Sequence, residues 1–464
     1  MTSGRVPGWV WAVLVLAHGL ALGWSLHSGN WNFPDTDRYV QAADNLRLYG
    51  ELYARPWMGH GPRGQAMQEF TIRTVGYPAA VLGLGGETGR PALLLFVQNL
   101  LSMLNIGVVL NWWANRVRPA TAYWLLALLG VLLFPAQIIY ANAVMSEVLL
   151  QAVILALVAA GWMFTKTGKT RYFVGIVACA VASLLLKPVF YPLTVVLAGV
   201  GLLVAWPRRQ VQLAVWGLVP LVVVGLYMRW NEQRTGYFHF SSIAEINLLH
   251  YNAAGVVRQA EGPAAEEKWV TSVLQEADAQ PDFAARQRLI RTRAEAMLWA
   301  HPVMYAGQHA QGMVAMLLDP GRFDISQFGG VKPPAGGGML AQVRANGLLR
   351  AVRSLPLGLL SVLGLVLGAN LVRLVLAARG FWRLGNDEPA LRYGRWIAAA
   401  LLFYVALLTG PLGAARFLVP VWPLLLGLAL AGVKWRETSD GLGPNQTTPV
   451  REDQRQSGAE NGRG

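Results

Sequence analysis

Apolar and polar positions alternate along this chain in long blocks. Apolar runs of sixteen to twenty-three residues fall at about 9–27, 92–114, 121–139, 146–164, 172–187, 189–206, 211–229, 356–376, 396–412 and 417–433. A helix rises about 1.5 Å per residue, so each run is near the length that crosses a hydrocarbon layer of about 30 Å. The pattern predicts an all-α polytopic membrane protein with about ten transmembrane helices. A further apolar stretch, 302–318, contains Gln308, His309 and Gln311, which are costly in hydrocarbon. It is expected as an interfacial or re-entrant helix.

Two polar segments interrupt the apolar runs. In the first, about 28–90, Tyr39, Val40, Ala43 and Leu46 recur at helical spacing after Pro34-Asp35-Thr36, and Gly50 supplies a stop. That spacing predicts a short helix over about 36–49 lying along the membrane surface, with Asp35 or Thr36 as its cap. In the second, about 231–355, Ile290, Ala294, Met297 and Leu298 line one helix face while Arg286, Arg291 and Arg293 occupy the other, and His301-Pro302 ends the helix. The run Gly329 to Gly338 reads as a flexible loop. The expected organisation is a membrane core over 1–230 that includes the first polar segment, the segment 231–355, C-terminal spans over 356–434, and a disordered polar tail over 435–464.

Composition agrees with this class. Apolar residues make up 54%, charged residues only 14%, and mean hydropathy is +0.38. Soluble domains carry about a quarter charged residues. The formal charge of +14 comes mostly from arginine. The arginines sit in loops between apolar runs, where they set topology and meet anionic phosphates, so nucleic acid is not an expected partner. Arg116, Arg118, Lys166, Lys169, Arg171, Arg208, Arg209, Arg379, Arg383, Arg392 and Arg395 occupy alternate loops, and the intervening short loops carry almost no cations. Positive charge marks the cytoplasmic side, which places both termini there and both polar segments outside, in a cell inner membrane. The first run resembles a signal peptide in part, and the later spans favour an uncleaved helix. The single Cys179 excludes a disulfide framework. No Gly-rich phosphate loop, HExxH or CxxC pattern occurs, and no internal repeat is evident.

Carboxylates near the apolar runs are scarce, and so are informative. Asp35 and Asp37 form a D-T-D pair just after the first run, and Glu147 follows Ser146 at the start of the fourth. Each has a bland structural role available as a helix cap or first-turn acid. Lys187 before Pro188, Arg416 and Arg73 fall on the same expected face, where each alone reads as a headgroup anchor. Jointly they suit a bound phosphate.

The segment P-D-T-D-R-Y-V-Q-A-A-D-N-L (34–46), then Gly50, then R-T-V-G-Y-P (73–78), resembles the first outer loop of the GT-C glycosyltransferases. The resemblance is to the bacterial group with the aminoarabinose transferases and protein O-mannosyltransferase-like enzymes. Ser146-Glu147, Lys187-Pro188 and Arg416 before Pro420 and Pro423 resemble later elements of that family in the same order. Val75 stands where the family more often has Pro. The position of a family metal ligand is Ile72, with Glu69 nearby, so no cofactor is certain and a divalent metal is only an option.

The resemblance implies an inverting transfer of a sugar from a polyprenyl-phosphate donor to a lipid, glycan or protein acceptor of the envelope. Asp35 is then the catalytic base, and Asp37 orients it or binds a sugar hydroxyl. Arg73, Tyr77, Glu147, Lys187 and Arg416 bind substrate or phosphate. Ser241, Asn247, His250 and Asn252 belong to a lid over the acceptor. A polysaccharide polymerase or ligase is the alternative enzyme, and a lipid-linked sugar flippase the alternative transporter. A flippase predicts charges at mid-span, whereas these cluster at one rim.

The topology has a direct test. In a Cys179→Ala background, single cysteines in 28–90 and 231–355 are expected to react with an impermeant thiol reagent. Cysteines in 165–171 or 377–395 should be protected. Labelling of the second group from outside overturns the sidedness.

Overall fold

The computed structural model describes residues 5–59, 66–86, 89, 91–117, 119–331, 347–353, 355–386 and 389–433. The tail over 435–464 and most of the glycine-rich run expected as a loop at 329–338 lie outside the described residues, as does Arg118. No strand occurs among the described residues, and the protein is an all-α polytopic membrane protein.

The N-terminal part comprises α1 (Gly8–Ser28), α2 (Thr36–Tyr49), α3 (Gly76–Gly83), α4 (Ala92–Val117), α5 (Thr121–Leu132), α6 (Pro135–Ala141), α7 (Glu147–Thr167), α8 (Thr170–Leu186), α9 (Tyr191–Arg208) and α10 (Val211–Thr235). Later helices include Phe283–Ala300, Pro302–Leu318, Arg322–Phe328 and Leu357–Arg383. Leu391–Leu412 and Ala415–Gly432 are the last apolar ones. Large apolar side chains such as Leu16, Leu203, Leu226 and Val375 are more than half exposed. On a soluble protein such a surface would be an aggregation liability, whereas hydrocarbon solvates it.

Eight of the described helices are long and apolar enough to cross a membrane. The other two runs of the expected ten differ for a local reason. The run at 121–139 is a pair, α5 and α6, bent by 59°. Pro135 lacks an N–H and disfavours helical geometry at Phe134, which sits at φ −121°, ψ 75°. The run at 172–187 yields α8, which stops after 17 residues at Lys187-Pro188. Lys187 is extended at φ −144°, ψ 128°, as a residue before proline prefers. The second break carries a candidate site residue, Lys187, whereas Phe134 at the first is buried and stacks on Trp422 at 5.0 Å.

Apolar burial gives little drive between helices in lipid, so buried amides hold the bundle together. His18 of α1 meets Ser102 of α4 at 2.9 Å, and Gln137 of α6 donates to Ser102 at 2.8 Å. Gln137 and Gln151 exchange two bonds between α6 and α7, and Gln151 also donates to Val419 O at 2.5 Å. This network ties the broken helix to the last span.

The polar-segment helices form where the periodicity puts them. α2 runs Thr36–Tyr49 and stops at Gly50, whose φ of 71° is left-handed. Tyr39 and Ala43 are buried as expected, while Val40 and Leu46 are only half-buried, and Ala42 and Asn45 complete the inner face. Asn45 is buried because its amide donates to Tyr53 O and Arg55 O, at 2.6 and 2.7 Å. In Phe283–Ala300, Ile290 and Ala294 are buried. Arg286 and Arg293 pair outward with Asp278 and Glu276, while Arg291 pairs with the buried Glu245. Pro302–Leu318 packs against the start of the last span and the turn before it.

Candidate active site

One helix break, two loops and the starts of two spans converge around one carboxylate. Trp31 O accepts from Val144 N at 3.1 Å, and Thr36 Oγ1 donates to Val144 O at 3.2 Å. These bonds clip the start of α2 onto the loop between α6 and α7, next to Ser146-Glu147. Asp35 occupies the cap position of α2, yet its side chain makes no capping bond. Thr36 does not cap either, since its hydroxyl accepts from Phe33 N at 2.9 Å and donates to Val144. The cap expected there from the sequence is therefore absent. Asp35 faces two guanidiniums instead: Arg73 Nη2 lies 2.5 Å from Oδ1 and Arg416 Nη2 lies 3.1 Å from Oδ2.

Arg73 reaches this point through Gly76. A Cβ on Gly76 would lie 2.6 Å from Leu185 O, so only glycine lets the start of α3 press against the end of α8. That contact sets the start of α3, just after Arg73, against the end of α8, just before Lys187. Lys187 Nζ pairs with Glu147 Oε1 at 2.7 Å, and the Glu147 side chain is fully buried. Lys187 Nζ is 5.9 Å and Arg416 Cζ 4.7 Å from the Phe417 ring, so the two cations share one aromatic neighbour. Arg73 also stacks 4.9 Å over Tyr39.

Three cations and two carboxylates leave this cluster with one net positive charge. Arg73 Nε, Arg416 Nε, Ser146 Oγ and Glu147 Oε2 are buried without a hydrogen-bond partner. Ser146, at the cap position of α7, makes no capping bond. Buried polar groups are normally satisfied, so the two unpaired arginine Nε–H donors beside a net positive charge suit an anionic ligand, whereas the Glu147 oxygen can only accept. Burial pushes the Asp35 carboxyl up, but Arg73, Arg416 and Lys187 outweigh it and hold it at about 2.

Several expected site residues lie elsewhere. Asp37 is exposed and accepts from Asn32 Nδ2 at 3.0 Å, on the rim of a separate cleft of about 370 Å³ that Asn30 and Gln327 also line. Tyr77 is fully buried, donates to Gln98 at 2.7 Å and packs edge-on against Tyr39 at 4.7 Å. It braces the Arg73–Tyr39 stack, and its hydroxyl proton is taken up in the bond to Gln98. Glu69, the acid near the Ile72 position, is buried between Arg38 and Arg55, at 3.2 and 3.4 Å. Among the described residues no group of three or more His, Cys, Asp or Glu is placed to hold a metal. Ser241 donates to Thr71 O at 2.7 Å and Asn252 accepts from Tyr305 at 3.1 Å. The Ser241 bond ties the second polar segment to the first, the Asn252 bond stays within the second, and neither involves Asp35.

Two acids went unrecognised in the sequence. Asp319 and Asp324 follow the apolar helix Pro302–Leu318 in L-D-P-G-R-F-D, and acids next to an apolar run were the available signal. Asp324 is buried and accepts from Tyr140 at 2.7 Å. Burial pushes its carboxyl up to about 7, and nearby Asp319 adds to the rise. A carboxyl raised above its ordinary value stabilises the fold fully below about pH 4, and that contribution is lost as pH rises through about 7. Asp324→Asn keeps an acceptor for Tyr140 and has no charge to bury. Its thermal midpoint is expected to gain on wild type as pH rises from 4 to 7, by a stability difference of a few kcal/mol at neutral pH. A midpoint difference that stays flat with pH contradicts this.

No protein-family model matches the chain, and no curated protein does. Two solved structures are similar to it. One is ArnT from Cupriavidus metallidurans bound to undecaprenyl phosphate, at 17% identity over 92% of this chain and 76% of that one, with a TM-score of 0.37. The other is the same protein in the apo state, at 14% identity over 91% and 76%, with a TM-score of 0.34. Neither superposition bears on the residues of the charge cluster, whose chemistry rests on its own geometry.

Proposed function

We propose that this protein is a membrane glycosyltransferase of the GT-C type, moving a sugar from a polyprenyl-phosphate donor to an acceptor hydroxyl on the extracytoplasmic face. The observation that carries the reading is a partly exposed carboxylate, Asp35, held between Arg73 and Arg416 beside the Lys187–Glu147 pair. A structural cap would need neither arginine, and a headgroup anchor would not be drawn inward onto a carboxylate.

In this reading the acceptor oxygen attacks the anomeric carbon as the bond from that carbon to the phosphate oxygen breaks. Asp35 takes the hydroxyl proton, and the electron pair leaves on the carrier phosphate. Arg73, Arg416 and Lys187 face the charge that grows on the leaving group. At about 2 the resting Asp35 is a weak base. A phosphate sharing the two guanidiniums withdraws them in part and raises the carboxyl toward its ordinary value. The donor thereby activates the base only when it is bound. Asp37, on the rim of the neighbouring cleft, is suited to holding a sugar hydroxyl. ArnT, one of the similar structures, was solved with undecaprenyl phosphate, which is the class of carrier this reading requires.

The test is a turnover assay with detergent-purified protein, a panel of polyprenyl-phosphate sugars and an extract of envelope lipids and glycans. Release of free polyprenyl phosphate that depends on acceptor is expected. If the carrier is consumed only when it bears a pyrophosphate, the polymerase or ligase reading replaces this one.

A further inference from the structure

The last span begins at Ala415, one residue before the arginine that meets Asp35. The first N–H groups of a helix have no partner within it, and a side chain at the cap position usually accepts one. Here the cap residue is Ala414, which has no acceptor to offer. The bond comes from far along the chain: Asp319 Oδ2 accepts from Ala415 N at 2.8 Å. Asp319 Oδ1 accepts from Gly321 N at 3.0 Å, so both oxygens are engaged by different stretches of backbone. Asn370 donates to Asp319 O at 3.3 Å, and Asp324, one turn on, takes the Tyr140 hydroxyl. The segment 319–324 is thus pinned to Leu357–Arg383 and to α6. Arg416 is held less firmly at its tip, where one guanidinium nitrogen meets Asp35, the ring of Phe417 lies 4.7 Å away and Nε has no partner. Its aim is therefore set largely by the backbone turn it leaves from.

We infer that Asp319 is a positioning residue for Arg416: its carboxylate fixes the Ala415 turn so that the guanidinium meets Asp35 and, if the protein is the glycosyltransferase proposed, the carrier phosphate. Displacements of about 1 Å in such groups matter for catalysis, so a residue that never touches substrate can control the rate. Asn at this position keeps only one acceptor oxygen and turns its NH2 toward one of the two N–H donors. The adverse contact shifts the turn.

The full chain in detergent gives two readouts. The first needs no ligand: the Asp35–Arg416 coupling is measured from thermal midpoints of Asp35→Asn, Arg416→Met and the double variant, once with Asp319 and once with Asp319→Asn. The coupling is expected to fall by at least half in the Asp319→Asn background. An unchanged coupling overturns the inference. Should Asp319→Asn fail to fold, Ala415→Pro removes the same bond from the donor side. Proline is tolerated at the first helical position, and Ala414 is already extended at ψ 155°. It is expected to give the same fall. The second readout is the affinity for a polyprenyl monophosphate. Asp319→Asn is expected to weaken it about tenfold, and to weaken it no further once Arg416 is Met. Independent, additive losses overturn the inference. If the coupling falls but the wild-type protein binds no polyprenyl monophosphate, Asp319 still positions Arg416 and it is the glycosyltransferase reading that fails.

Discussion

Asp35→Asn is expected to fold, to bind the polyprenyl-phosphate sugar and to lose at least about a hundredfold in transfer rate. That is the usual scale for removing a general base. Asn preserves the shape of Asp35 and one acceptor for Arg73 or Arg416, but it cannot take a proton. The substitution also has a stability cost whose sign follows from the carboxyl's low value of about 2. A carboxylate held below its ordinary range contributes stability that is present above about pH 4 and lost as pH falls through about 2. At neutral pH the variant therefore forgoes on the order of 2 kcal/mol, since a tenfold change in proton affinity corresponds to about 1.4 kcal/mol. Rates should be compared at a temperature where its midpoint shows it folded. Asp37→Asn should do much less harm, because Asp37 lies on the rim of another cleft. Near wild-type turnover in folded Asp35→Asn ends its assignment as the base. If Asp37→Asn alone is inactive, the catalytic carboxylate is in the neighbouring cleft.

Lys187→Met is expected to be costly for two separable reasons. It strands Glu147, whose side chain is fully buried and whose other oxygen already lacks a partner. Breaking a buried pair by removing one member typically costs about 3–5 kcal/mol. It also removes a cation from the face of the proposed leaving group. Adding Glu147→Gln removes the stranded charge, so Lys187→Met/Glu147→Gln should recover most of the lost thermal midpoint. Transfer should stay at least about a hundredfold down, in line with losing a donor to the charge that develops in the transition state. A double variant that regains both stability and transfer shows that Lys187 serves only to neutralise Glu147. The phosphate site would then reduce to Arg73 and Arg416.

The two experiments probe different halves of one cluster, and the connection between the halves is tertiary. Asp35 and Arg416 are 381 residues apart in sequence. Phe417 and the Ser146 turn bring the second pair alongside.

Much of the architecture was legible in the chain because it depends on short-range periodicity. Ten apolar runs, the surface helix ending at Gly50 and the arginine-bearing face of Phe283–Ala300 all follow from residues within a few turns of one another. The prolines at 135 and 188 likewise act on their immediate neighbours, and the breaks they impose are local consequences of a missing N–H. The charged residues of the candidate site could be picked out for the same reason: a carboxylate or cation beside an apolar run stands out in a chain with few charges. What each residue touches was not. Asp35 looks like a helix cap in sequence, and only the approach of Arg73 and Arg416 turns its side chain away from the helix end. Tyr77 and Asp37 sit in the motif beside Arg73 and Asp35, yet one is consumed by Gln98 and the other faces a different cleft. Asp319 lies 96 residues from the N–H it accepts, a distance over which no local pattern carries information. Residue types and helix ends are set by interactions along the chain, whereas partners are set by which ends meet, and that depends on how the whole bundle packs.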